Sequence, residues 1–387
     1  MNAYGLDARL TALGRQAYEW SADLRAAAQA LDEEPDSIED FLDLPGVRCL
    51  GTFGIPPGYA EPLTIGRHSY HGTTALERVV MTENLARGDM GLVLAAPGVS
   101  MSGVLMEQLG DQEQRDRFYG AVAASPTWTS FALTEPDRGS DASAITTALR
   151  RGGDGGFLLT GAKRYIGNGC RARFVSVLAR TRPGPLGVTA VLVDTGRPGY
   201  RAEPLPTLGL RGARLSAVHL DDVEVEPWQV LGRHLSPARR GIWSCVQVFN
   251  RLRPTVAALA LGVAAATHDY LAERRRFATG TDRDRIEDLG IRIAATRALV
   301  HRAAADVDAT GRGRVASAAK ARACALAEDV TLAACGLLGP AARANHPVLD
   351  KLVRDARGAE FMEGTRNIQH LNLFQGLLAN ETEVDLR

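Results

Sequence analysis

Two short segments, far apart in the chain, carry residue types that do chemistry. The first is Phe131-Ala132-Leu133-Thr134-Glu135-Pro136, running on to Gly139-Ser140-Asp141. A turn of this composition offers backbone N–H groups and hydroxyls to a bound polar group; the plain alternative is an ordinary turn with a helix cap. The second is Glu363-Gly364-Thr365, followed by Asn367-Ile368-Gln369, which puts one carboxylate on a glycine turn that opens a helix. Such a carboxylate serves as a general base where an apolar pocket raises its basicity, or simply as a helix-start acid favoured by the macrodipole.

Composition narrows the field. The chain has 387 residues, 45% apolar and 23% charged, the profile of a soluble globular protein with a sizeable core. Acidic and basic side chains are equal at 45 each, so no long-range field draws the protein to nucleic acid or to an anionic membrane. No apolar stretch reads as long enough to span a bilayer, and the N-terminus has no signal pattern. Cys49, Cys170, Cys245, Cys324 and Cys335 are scattered and without Cys-x-x-C spacing, which points to a reduced cytoplasm and to no metal site. Zinc-protease, Rossmann, P-loop and nucleophile-elbow motifs are all lacking. Lys163, Lys320 and Lys351 are the lysines, and arginine supplies the rest of the positive charge. Genomic coding bias accounts for that pattern; the alternative is a need for guanidinium forks at phosphates.

The elements that must position these residues fall into three regions. Residues 1–127 read as an N-terminal α-helical domain, with Asp111-Gln112-x-Gln114 as a helix start and 51–69 as an irregular connection. Residues 128–235 form a middle β domain, whose strand-like runs include Phe157-Leu158-Leu159, Phe174-Val175-Ser176-Val177 and Val188-Thr189-Ala190-Val191. Residues 236–387 form a C-terminal bundle, with helices over 256–270, 286–307, 316–336 and 365–378. Their alanine-rich faces let helices approach closely or meet another subunit. The fold class is therefore α+β.

This order, with five segments in sequence, resembles the acyl-CoA dehydrogenase family over about 73–378. The segments are Leu133 to Asp141, Leu159 to Gly169, Leu208-Gly209-Leu210-Arg211-Gly212, Glu273-Arg274-x-x-Phe277, and Arg354-Asp355-Ala356-Arg357 leading to Glu363-Gly364-Thr365. The resemblance implies FAD stretched between the β domain and the bundle, its adenosine end clamped by a second subunit of a homodimer or homotetramer. Phe131, Leu133, Thr134, Gly139 and Ser140 would line the flavin and pyrophosphate, Tyr165 and Gly167 the isoalloxazine ring, and Thr365 and Asn367 would add cofactor contacts. Arg274 and Phe277 would reach the neighbour's FAD. Ser140, Arg253 and Gly364 would meet the substrate, an acyl thioester on coenzyme A or a carrier protein. Glu363 would take the α proton while the flavin takes a hydride from the β carbon. The alternative base position of some relatives falls on Leu252, which cannot accept a proton.

Departures from the family pattern mark further expectations. Gly167 stands where a threonine or serine is usual, Arg285 where a glutamine is expected, and Cys335-Gly336-Leu337-Leu338-Gly339-Pro340 replaces a Gln-x-x-Gly-Gly loop. Arg251 and Asn250 alter the substrate end, and Ile55-Pro56-Pro57-Gly58-Tyr59 stands in a rebuilt N-terminal loop. Electrons would pass to an electron-transfer flavoprotein or to oxygen. A flavin oxidase or monooxygenase on the same fold, or a flavin-free scaffold, are the competing readings.

Overall fold

The computed structural model describes residues 6–153 and 155–378. Helix α1 (Ala8–Glu33) begins where Asp7 accepts the Leu10 N–H at 2.7 Å, and α2 (Pro45–Thr52) has proline in its first turn. The stretch 51–69 is not wholly irregular: β1 (Leu63–Ile65) and β2 (His68–Tyr70) form a hairpin there, because Gly66 adopts φ +58° in the two-residue turn. Helices α3 (Ala75–Ala95), α4 (Ser100–Leu109) and α5 (Gln112–Ala124) follow. The expected helix start at Asp111 is that of α5, where Asp111 and Gln114 close a capping box with bonds of 3.0 and 2.9 Å.

The middle region is one seven-stranded mixed sheet of β3 (Thr129–Ala132), β4 (Ala148–Arg151), β5 (Phe157–Ile166), β6 (Phe174–Arg180), β7 (Val188–Asp194), β8 (Tyr200–Pro204) and β9 (Ser216–Val225). β3 lies parallel to β6, and β7 pairs antiparallel with β6. β6 and β7 are buried along nearly their whole length, which explains their unbroken apolar runs. Phe174 and Leu178 face Phe118 of α5 and Leu105 of α4, whereas Val175 and Val177 face the side of the sheet shared with Val218 and Val223.

The C-terminal bundle consists of α6 (Ile242–Arg274), α7 (Gly280–Thr310), α8 (Arg314–Leu338), the short α9 (Ala342–Asn345), α10 (Pro347–Phe361) and α11 (Arg366–Leu378). α6 begins fourteen residues before the expected start at 256 and continues through Pro254. Packing on both sides outweighs the lost ladder bond there. α6 is also long and apolar enough to cross a membrane, contrary to the reading of the sequence, but its apolar residues are mostly buried inside the bundle. The alanine-rich faces serve the same purpose: Ala257, Ala260 and Ala264 of α6 and Ala316, Ala323 and Ala327 of α8 are buried within this one chain. At Gly262 an added Cβ would lie 2.7 Å from the Glu83 carbonyl, so α3 and α6 touch backbone to backbone.

Candidate active site

The first wall of the site grows out of β3. Glu135, just past the strand, is buried and accepts four bonds of 2.6–2.8 Å from the N–H and hydroxyl groups of Thr146 and Thr147. Lys163 on β5 adds a fifth at 3.0 Å, and the same ammonium donates to the Leu133 carbonyl at 3.0 Å. Burial alone would raise the Glu135 pKa, but the Thr147 hydroxyl and the Lys163 charge outweigh it and hold the carboxyl at about 2. Burial wins at Lys163 and brings its ammonium down to about 8 despite Glu135. This pair fixes the main chain of Leu133 and Thr134 from behind.

Two further bonds set Tyr165 and Gly167 beside β3. The Arg164 N–H donates to the Thr134 carbonyl at 2.9 Å, and the Ser130 hydroxyl donates to the Gly167 carbonyl at 2.7 Å. Tyr165 sits at φ +63° and is 58% exposed, with the Arg164 guanidinium 5.4 Å from its ring centre. The turn that follows Thr134 closes through Asp141, which accepts from the N–H and hydroxyl of Ser143, and leaves Gly139 and Ser140 exposed. A Cβ added at Gly139 would meet nothing within 4 Å, and one at Gly167 would meet only Leu215, at 3.9 Å. Gly139, Gly167 and the exposed Tyr165 thus border open space beside a main chain held from behind, which fits a planar ring such as a flavin.

The second wall is the turn between α10 and α11. Glu363 and Gly364 take φ +51° and +98° in succession, a left-handed pair that glycine adopts freely and glutamate does not. Their carbonyls point into the protein. Gln369 donates to both, at 3.1 and 2.8 Å, Lys320 on α8 donates to Gly364 at 2.5 Å, and Arg253 on α6 reaches the Glu363 carbonyl at 3.5 Å. Among the described residues no acceptor takes the N–H groups of Glu363, Gly364 or Thr365. Oε2 of Glu363 is buried without a hydrogen-bond partner. Burial raises this carboxyl to about 8, and the opposing charges of Arg253 and Lys320 do not cancel the effect.

α6 joins the two walls. Phe249 packs its ring 6.1 Å from Phe131, and Arg253, one turn on, sits over Phe249 at 5.7 Å and bonds the Glu363 turn. Leu252 belongs to the same apolar cluster as Phe131 and Leu133. Phe131, Leu133, Arg253 and Glu363 therefore share one neighbourhood. Arg253 is almost wholly buried and also donates to Asn250 at 3.1 Å, while Arg251 pairs with Glu107 of α4 at 2.6 Å. Thr365 is half-buried with its carbonyl accepting from Gln369, and Asn367 is exposed.

Arg274 and Phe277 lie elsewhere. Arg274 is the last residue of α6, about 30 Å from Arg253 at 1.5 Å per residue, and Phe277 follows just beyond the helix. Arg274 is exposed above Tyr270, and Phe277 is 82% exposed. Close by in sequence, Arg285 lines a groove of about 370 Å³ between α7 and α8, with Asp284, Asp288, Arg292 and Leu337. Glu135, Lys163, Lys320 and Gln369 escaped the reading of the sequence as site residues. Only the rarity of lysine in this chain marked two of them.

Comparison with known proteins places the chain in a family. Residues 130–223 match the acyl-CoA dehydrogenase middle domain, and residues 239–378 match the acyl-CoA dehydrogenase C-terminal domain. The chain is 29% identical over 340 residues, 84% of its length and 81% of the relative's, to a probable medium-chain specific acyl-CoA dehydrogenase 2, mitochondrial, from Caenorhabditis briggsae. Its fold is similar to that of butyryl-CoA dehydrogenase from Megasphaera elsdenii, with a TM-score of 0.83 at 24% identity, covering 97% of this chain and 99% of that one. It is also similar to the prolyl acyl carrier protein oxidase AnaB, with a TM-score of 0.82 at 19% identity, covering 96% and 100%. The chain belongs to the acyl-CoA dehydrogenase family and is an FAD-dependent oxidoreductase.

Proposed function

We propose that this protein dehydrogenates an acyl thioester, on coenzyme A or a carrier protein, at its α and β carbons, with Glu363 as the proton acceptor. The observation that carries this reading is the Glu363 carboxylate itself: one oxygen is buried without a partner, and burial has made the group far more basic than an ordinary carboxylate. The free N–H groups of Glu363 and Gly364 are the donors at hand for the thioester carbonyl, whose polarisation acidifies the α carbon. A flavin held along Leu133, Thr134, Tyr165 and Gly167 would supply the acceptor for the β hydride, and with the α proton passed to Glu363 the product would be a trans-2-enoyl thioester.

Anaerobic mixing with acyl thioesters tests this directly. Glu363→Gln keeps the shape of the side chain and removes its basicity, so flavin bleaching should slow by roughly two to four orders of magnitude with FAD still bound. Bleaching at the parent rate would assign Glu363 a structural role.

Gly167 favours a second reading. The open space where a side chain would stand near the ring leaves access for oxygen, as in a flavin oxidase. Reoxidation of the reduced protein by air, compared with reoxidation by an electron-transfer flavoprotein, separates the two. The remote position of Arg274 and Phe277 supports a homo-oligomer in which these residues complete the FAD site of a neighbour.

A further inference from the structure

The three lysines of this chain are all interior. Lys163, Lys320 and Lys351 are 1%, 0% and 5% exposed, although arginine supplies the charge nearly everywhere else. A compact ammonium with three donors fits where a planar guanidinium does not. Lys163 pairs with Glu135, and Lys351 pairs with Asp89 and Asp355. Among the described residues Lys320 has no such counter-ion within bonding distance. It donates to two main-chain carbonyls, those of Glu360 at 2.8 Å and Gly364 at 2.5 Å, which bracket Glu363 in sequence. Burying an ammonium without a paired carboxylate is costly, so its place in the fold calls for a compensating task.

That task is visible in the backbone. A glutamate at φ +51° followed by a glycine at φ +98° persists only if the surroundings hold it there. Lys320 anchors the turn from α8 at both ends, the last turn of α10 and the Gly364 peptide, while Gln369 and Arg253 take the remaining carbonyl positions. With these carbonyls held from within, the N–H groups of Glu363, Gly364 and Thr365 have no acceptor among the described residues, and the buried Oε2 of Glu363 has no partner.

We infer that Lys320 is a positioning residue for catalysis: it locks the Glu360 and Gly364 carbonyls inward, and so fixes the left-handed turn that presents the Glu363 carboxylate and the free N–H groups to the substrate. This rests on Glu363 being the base. Lys320 also places a positive charge near that carboxylate. The other charged or titratable groups around them are Arg253 from α6, Cys324 from α8, Glu360 from α10 and Arg366 from α11.

The test is Lys320→Met, with Lys320→Gln as a second variant that keeps one polar donor, in the FAD-loaded protein. Anaerobic flavin reduction by an acyl thioester, followed from pH 6 to pH 10, is the measurement. Bound FAD should be retained, the limiting rate should fall roughly tenfold to a hundredfold from misplacement of the base, and the rising limb of the pH profile should move up by about one pH unit as a stabilising positive charge is lost. Lys320→Gln should fall between parent and Lys320→Met. A parent-like rate and profile in either folded variant overturns the inference, and so does a slower rate with an unmoved profile, which marks a purely structural lysine. Glu363→Gln run alongside separates the two ideas: if it reduces flavin at the parent rate, the base assignment itself has failed. If it is inactive while the lysine variants behave as the parent, only the role of Lys320 has.

Discussion

Replacing Glu363 by glutamine should stabilise the protein in a way that depends on pH, and the sign follows from the burial of its carboxyl. The folded-state value lies at about 8 against an ordinary 4.5. The native state therefore holds a proton that the unfolded chain releases between these values. Below pH 4.5 both states carry the neutral acid and the favourable term is fully present; it erodes as pH rises and is lost above about 8. At about 1.4 kcal/mol per pH unit the ceiling is about 5 kcal/mol, and water reaching the half-buried turn reduces this to roughly half. Glutamine, neutral at every pH, carries no such penalty. Thermal unfolding of the cofactor-free protein should show parent and Glu363→Gln melting together at pH 5, and the variant melting higher by a few degrees at pH 9. An equal difference at both pH values would refute the claim that the fold keeps this carboxyl neutral.

Arg274→Ala should weaken FAD retention about tenfold to a hundredfold, the worth of a charge-assisted bond, as measured by ultrafiltration of the yellow protein. Light scattering should show the parent as a dimer or larger; a monomer that binds FAD tightly would place the whole site in one chain. Glu135→Gln removes the partner of buried Lys163 and should cost roughly 3–5 kcal/mol at neutral pH. Because Glu135 titrates at about 2, this difference should persist down to about pH 4.5 and shrink as pH falls from there towards 2, which melting curves across acid pH would reveal. Asp308 caps α3 by accepting the N–H groups of Ala75 and Leu76 at 2.7 and 3.0 Å, so Asp308→Ala should lower stability by about 1 kcal/mol without altering flavin reduction.

What could be read in the sequence was local. The helix start at Asp111, the apolar runs of β6 and β7 and the glycine after Glu363 each depend on residues within a few positions, and each appears in the structure where its pattern lies. The acyl-CoA dehydrogenase resemblance came from motifs of the same short range. Local reading failed where tertiary packing overrode propensity. α6 runs through Pro254, a hairpin forms in a stretch rich in glycine and proline, and alanine faces that might have met a second subunit are used up within one chain. The properties that make Glu363 a candidate base were out of reach in the same way. The inward turn of its carbonyls comes from Arg253, Lys320 and Gln369, which belong to three different helices, and its raised pKa comes from burial that outweighs the opposing charges of Arg253 and Lys320. Turn and capping signals are set by bonds between near neighbours in the chain, whereas desolvation and charge are summed over everything that packs around a group, and that sum exists only once the chain has folded.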